Sequence, residues 1–318
     1  MEAVVVDAGS KLLKAGFASP DQDPALIMPT KMKRVVEDGE GGDASMIEEV
    51  TVDPVVRGFI RDWDAMEDLL RHVLYTDLGW EVGDEGQILF AEPLFTPKVL
   101  QRLNPSIMQL HHFGQTSGCG CGCGHYSHYI APVCEGAVQH IASKRFQIGG
   151  IDLTNLLTQE LCKSNTLMNI DISEVEKLKE QYARCAEDQV AFEEYGIVEQ
   201  LVRSISSVSS ENLRQLLENT MLCGGTASMS GMNLYSLDAN MFTSSGFEER
   251  FQKEANLCSS SIRPSLFKPP EYMPENLSKN SAWMGGAILA KVVFPQNQHV
   301  TKGDYDKTGP AIVHKKCF

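Results

Sequence analysis

The chain is short of positive charge and has no long apolar run. Lys and Arg number 28 against 42 Asp and Glu, which gives a formal net charge of −14 and an isoelectric point near 5.0. Sequence-independent binding to nucleic acid needs a basic footprint, so direct DNA binding is not expected. No apolar stretch reaches the ~20 residues that cross a bilayer, and the start Met1-Glu2-Ala3 lacks the basic region of an export signal. Neither a membrane nor a secretory route is expected. There is no internal period, which argues against a repeat architecture. What is present is the composition of a soluble globular chain: 318 residues, 42% hydrophobic and 22% charged, enough for about two domains. Nine cysteines, mostly scattered singly, fit free thiols in a reducing compartment.

The N-terminal stretch organises the rest. Val4-Val5-Val6-Asp7 reads as a strand, Ala8-Gly9-Ser10 as a turn in which Gly9 tolerates positive φ, and Leu12 to Phe17 as a returning strand. Asp7, Ser10 and Lys14 then gather near the tip of a hairpin. A carboxylate at a strand end can hold a hydrated Mg²⁺ or Ca²⁺. Backbone N–H groups with Ser10 can cradle phosphate, and Lys14 adds a compact positive charge. A plain surface hairpin with ordinary polar residues also reads from these letters, since Gly-Ser and Asp-Gly turns are common.

Further along, Lys31-Met32-Lys33-Arg34 is a short basic cluster, readable as part of a nuclear localisation signal or as solvated surface. Glu37 to Asp43 reads as an exposed acidic loop. Asp62-Trp63-Asp64-Ala65-Met66 opens a helix that Asp62 or Asp64 caps, with Met66, Leu69, Leu70, Val73 and Leu74 on one face. Gln87 to Ala91 is a strand. Gly118-Cys119-Gly120-Cys121-Gly122-Cys123-Gly124-His125 is low in complexity. It reads as a flexible Gly-rich loop with incidental thiols, or as a metal site using the three thiols with His125 and His128, although alternate cysteines orient a tetrahedron poorly. Tyr129 to Val138 returns to strand and turn, and Asp152 stands near the start of a helix. Ser173 with Glu176 forms a capping box for a helix running through Tyr182 to Ala186. A helix near Asn212 to Glu218 leads into a strand ending in Gly224-Gly225-Thr226, where two glycines let backbone approach a planar ligand or phosphate, or simply make a tight turn. Phe247 to Phe251 is helical, and Ser281 to Ala290 is an apolar, buried helix.

These stretches, in this order, resemble the actin family. Val6-Asp7-Ala8-Gly9-Ser10 with Lys14-Ala15-Gly16-Phe17-Ala18 is similar to the first phosphate loop of actins. Asp62-Trp63-Asp64-Ala65-Met66-Glu67 is similar to their "NWDDME" helix, and Glu92-Pro93-Leu94 with Pro97-Lys98 to "EAPLNPK". Leu222-Cys223-Gly224-Gly225-Thr226 resembles "MSGGT", and Ser281 to Ala290 resembles "SVWIGGSILA". Tyr305 to Phe318 resembles the actin C-terminus. The resemblance implies an α/β actin-like fold of the actin, Hsp70 and sugar-kinase type, with two similar α/β domains around a nucleotide cleft. Residues 1–118 with 281–318 would form the first domain and 119–280 a shortened second.

The same resemblance implies ATP with Mg²⁺ or Ca²⁺ as the bound group. Asp7 would reach the cation through water, and Ser10 and Lys14 would contact phosphates. Gly150 and Asp152 would sit at the cleft on the second domain. Lys179 and Glu180 would border the adenosine, Gly224, Gly225 and Thr226 would lie under base and ribose, and Lys279 near the adenine. Several parts depart from the family. Its second phosphate loop, Asp-x-Gly-Asp-Gly, falls on Gly122, Cys123, Gly124, His125 and Tyr126, so both carboxylates are absent. Residues 98–118 contain no recognisable water-positioning Gln, although Gln109 and Gln115 are present. A strand-rich segment is missing near Glu193 to Tyr195, and 232–245 look inserted. The resemblance and these departures together imply a non-catalytic architectural subunit in a nuclear chromatin-remodelling complex of SWI/SNF type, found in the nucleus and also in the cytoplasm. Its partners would be a helical segment of the motor ATPase and another actin-related protein or actin. The alternative is an ATP-hydrolysing or polymerising cytoskeletal actin-like protein.

Overall fold

Three β-branched valines start the first sheet almost at the N-terminus, because Val is stiff at χ1 and packs well on a pleated surface. In the computed structural model, residues 2–20, 22–37, 47–91, 94, 115, 117–164, 171–183, 196–228, 246–268 and 277–316 are described. The acidic loop beyond Glu37, the Glu92-Pro93 and Pro97-Lys98 stretch, Gln109, Glu193 to Tyr195 and 232–245 lie outside them. The chain divides into two units, Met1–Leu103 with Gly286–Phe318, and Asn104–Gly285. No helix among the described residues is long and apolar enough to cross a membrane.

In the first unit β1 (Val4–Ala8) pairs antiparallel with β2 (Leu12–Phe17) and parallel with β8 (Ile88–Ala91), and β3 (Leu26–Pro29) adds to β2. Val4, Val6, Leu13 and Ala15 pack against Met66, Leu69 and Val73. Met66 and Leu69 belong to α1 (Trp63–Arg71) and Val73 to the wider-wound turn His72–Asp77 that continues it, which bears out the helical spacing. Gly9 corrects an expectation. It is not among the positive-φ residues. Its N–H donates to Leu12 O at 3.1 Å, and a Cβ there would lie 2.9 Å from the same oxygen. The turn needs a missing side chain, not an unusual φ.

Met32 to Arg34 belong to β4 (Met32–Glu37), which pairs with β5 (Ile47–Val52). The short strands β6 (Val55–Val56) and β7 (Phe59–Ile60) pair with each other just before α1. Each cation of the basic cluster faces a carboxylate: Lys31 with Asp53 at 3.9 Å, Lys33 with Glu49 at 3.0 Å, Arg34 with Asp62 at 2.9 Å. Arg34 is bidentate on Asp62, and Asp62 also accepts the Ala65 N–H at 2.9 Å. One carboxylate therefore caps α1 and ties the β4–β5 ribbon to it.

In the second unit β9 (Gly118–Cys123) runs between β10 (His128–Cys134), antiparallel, and β13 (Thr220–Cys223), parallel. Two short strands, β11 (Ala137–Val138) and β12 (Lys144–Phe146), add to β10. All six residues of β9 are buried. This overturns the reading of Gly118 to Gly124 as a flexible loop. Cys-Gly alternation is a period of two, the period of a strand, so every thiol falls on one face. Cys119, Cys121 and Cys123 pack with Ile130 and Leu222 against α4 (Ile197–Ser206), α5 (Ser210–Glu218) and α6 (Gly246–Leu257). The other face carries no side chains, and at Gly122 there is no room for one: a Cβ there would fall 2.3 Å from the Tyr129 ring. A hydrogen bond to Cys123 and burial raise the Cys121 thiol well above its ordinary range, and burial raises that of Cys119. Protonated thiols are poor metal ligands.

Asp62 supplies a test. The Ala65 N–H, and after it Arg34, hold its carboxyl below the usual carboxylate range. The folded value is depressed, so its contribution is complete above the unfolded value of about 3.9 and is lost as pH falls through the folded value. Asp62→Ala should lower the melting temperature by a few degrees near neutral pH, and that gap should close on acidification toward the folded value. A thermal scan series over acid pH checks this; a gap independent of pH would contradict it.

Candidate nucleotide site

In the first unit the β1–β2 register sets Asp7 opposite Lys14, and their side chains meet at 3.3 Å while largely covered, 18% and 15% exposed. Ser10 Oγ accepts the Gly58 N–H at 2.6 Å, and a hydroxyl used in this way still has a proton to donate. Thr30 Oγ1 donates to Gly9 O at 2.6 Å and pins the turn. The hairpin sets Asp7 against Lys14 and carries Ser10 in its turn, and the three types, one carboxylate, one hydroxyl and one ammonium, fit a metal–nucleoside phosphate.

In the second unit the turn after β9 is gripped by the protein. Cys123 O accepts the Thr226 N–H at 3.1 Å, Gly124 O the Gly150 N–H at 3.1 Å, and His125 O the Ile151 N–H at 2.8 Å. Thr226 Oγ1 also donates to Gly124 O at 3.0 Å. Gly149 and Gly150 allow this approach: a Cβ on Gly149 would lie 2.4 Å from His125 O, and one on Gly150 2.8 Å from Thr226 Oγ1. Helix α2 (Gly150–Ser164) thus begins against the turn. Asp152 in its first turn accepts the Gly149 N–H at 2.8 Å.

Lys179 on α3 (Ile172–Tyr182) is 4% exposed and donates to Gly150 O and Thr154 Oγ1, each at 2.7 Å. Glu180, next to it, is exposed. The cap of α3 differs from expectation: Asp171, not Ser173, accepts the N-terminal amide, from Ser173 N–H at 3.1 Å, since a carboxylate two residues earlier reaches that N–H. Gly224 has φ +99°, its Cβ would meet Cys123 O at 2.4 Å, and its N–H donates to Ser278 O at 2.8 Å. Gly225 has open space around its absent Cβ. Lys279 is exposed on α7 (Leu277–Val293), beside Ser278.

The sequence reading missed Glu176 as a partner of this turn. Glu176 Oε1 lies 3.3 Å from His125 Nδ1 and 3.8 Å from Lys179 Nζ. The three-residue spacing of Glu176 and Lys179 on one helix was a usable signal; that His125 folds back onto them was not.

A strand-flanked hairpin and a second glycine-rich turn, on an α/β chain of this order, match a description that covers much of the chain. The Actin family model matches residues 1–104 and 178–318, and the chain belongs to the actin family, with its α/β, actin-like fold. Actin-related protein 7 of Oryza sativa subsp. indica is 59% identical over 376 residues, covering 100% of both chains. Actin-related protein 7 of Arabidopsis thaliana is 54% identical over 378 residues, again covering 100% of both. Actin-like protein 9 of Bos taurus is 26% identical over 391 residues, covering 99% of this chain and 88% of that protein. The rice alignment is longer than the 318 residues present here, so segments of that relative have no counterpart in this chain. Residues 105–177, which hold the altered turn, fall outside the family match.

The two adjacent glycines predict different outcomes. Gly224→Ala forces a side chain into a left-handed backbone and against a carbonyl, and should destabilise the protein by about 1–3 kcal/mol. Gly225→Ala meets open space and should cost under ~1 kcal/mol. Chemical denaturation of both variants checks the pair; equal losses would contradict the assignment.

Proposed function

We propose that this chain is a non-hydrolysing, architectural actin-related subunit of a nuclear chromatin-remodelling complex of SWI/SNF type. The observation that carries the reading is the turn after β9. Where the family wording has two carboxylates, Gly122 lies under the Tyr129 ring and His125 is in contact with Glu176. Hydrolysis of a nucleoside triphosphate needs a cation fixed on the phosphates and a water aligned for in-line attack. A bound Mg²⁺ or Ca²⁺ would supply charge neutralisation at the phosphates. Asp7 can serve it through water, but the second unit's turn offers it no carboxylate, and these ions take oxygen ligands.

Nucleotide retention without turnover agrees with the residues present. Ser10 and Lys14 suit phosphates, and Gly224, Gly225 and Thr226 suit the base and ribose side. Gly150, Asp152, Lys179, Glu180 and Lys279 would border the ligand. A scaffold needs a folded actin-type body rather than a reaction. The tail wording from Ser281 to Phe318 supports a groove that takes a helix of the motor ATPase beside another actin-related protein or actin. The excess of 42 acidic over 28 basic residues favours basic partners and disfavours direct DNA contact. Assembly into that complex would place the chain in the nucleus, with an unassembled pool in the cytoplasm.

Losing one positioned electrostatic contact commonly lowers a rate by ~10²–10³-fold, so phosphate release from MgATP should stay at background. In parallel, the helical segment of a remodeller motor should retain the purified chain on a column. Turnover above background that Asp7→Ala abolishes would contradict the proposal, as would failure of the motor segment to retain the chain.

A further inference from the structure

Glu176 and Lys179, three residues apart on α3, project from one side of the helix. Glu176 Oε1 stands between two nitrogen groups, with His125 Nδ1 at 3.3 Å and Lys179 Nζ at 3.8 Å. The Lys179 ammonium continues onto Gly150 O and Thr154 Oγ1 at 2.7 Å each. The three side chains are 15%, 21% and 4% exposed for His125, Glu176 and Lys179. A buried ammonium is tolerated only when its donors are met. Here a carbonyl and a hydroxyl of the chain itself accept from it, and the Glu176 carboxylate stands 3.8 Å away as an ion-pair partner. The chain of contacts runs from the β9–β10 turn through α3 to the first turn of α2.

A divalent cation does not fit beside this turn. Mg²⁺ and Ca²⁺ seek oxygen ligands, whereas the turn itself presents an imidazole, and the Glu176 carboxylate that faces it is already set between that imidazole and the Lys179 ammonium. We infer that the His125–Glu176–Lys179 network stands in for a bound divalent cation: it holds residues 124–127 against α2 and α3, so that this half of the molecule is ordered without any ion. The inference rests on the proposed reading of the family's second phosphate loop, in which a cation would help to order this turn. The consequence is a body that keeps its shape irrespective of nucleotide state, as a scaffold requires.

Hydrogen exchange on the full chain, without nucleotide, tests it through neither turnover nor partner binding, so its failure is separate from failure of the proposed function. Wild type, Glu176→Gln and His125→Gln are each compared in EDTA and in millimolar Mg²⁺ or Ca²⁺. In the wild type, peptides covering 122–127 and 149–154 should exchange alike in all three solutions. Glu176→Gln should speed exchange there by about tenfold or more, as expected for loss of a charge-assisted contact, with the β1–β2 hairpin unchanged. Should Glu176→Gln not fold, His125→Gln, which removes the imidazole and leaves Lys179 with Glu176, carries the test with the same expected direction. Protection in the wild type that rises when the cation is added would overturn the inference. So would variants that exchange like the wild type.

Discussion

Three consecutive carbonyls, of Cys123, Gly124 and His125, accept donors from two separate parts of the second unit: Thr226 after β13, and Gly150 with Ile151 at the start of α2. Buried backbone groups must find partners, and here each partner is another element's end. The turn therefore joins a sheet to a helix through the chain's own backbone and hydroxyl groups. The residue types around it follow from that constraint. Gly149 and Gly150 are glycines because a Cβ would enter the turn's backbone or the Thr226 hydroxyl, and Gly224 is a glycine because its φ is +99° and Cys123 O lies where its Cβ would be.

The strand that feeds the turn shows how composition can mislead. An alternating Cys-Gly run looks like low complexity, and its thiols invite a metal. Yet period two is the strand signal, and a face of small apolar thiols against Ile130, Leu222 and three helices is a core face. On the glycine face, Gly122 is as necessary, because the Tyr129 ring occupies the volume that a side chain there would need. Cross-strand register decides this, and register is visible only once β9 is known to lie between β10 and β13.

Much of the fold was legible in the letters. The spacing of Met66, Leu69 and Val73 gave α1, and of the two carboxylates that could cap it, Asp62 and Asp64, the structure uses Asp62. The valines and the Ala8-Gly9-Ser10 turn gave the first hairpin and the meeting of Asp7 with Lys14 across it. Other parts were not legible because they depend on distant chain. No local rule joins Arg34 to Asp62 across 28 positions, or His125 to Glu176 on a helix far along the chain. The α3 cap moved by two residues because Asp171 competes with Ser173, a local contest that propensity alone does not decide. Helix α4, amphipathic and central to the second core, could have been found from Ile197, Val198, Leu201 and Ile205.

A histidine where the family wording has a carboxylate changes what a turn can hold. Together with Glu176 and the buried Lys179 it sets an imidazole and an ammonium against one carboxylate, the contact on which the proposed ion-independent order rests. An experimental structure of the chain determined in millimolar MgATP tests that claim most directly. The account predicts Lys179 Nζ still on Gly150 O and Thr154 Oγ1, and His125 still on Glu176. A cation bound at the 124–127 turn, with Lys179 swung onto a phosphate and His125 released from Glu176, would contradict it.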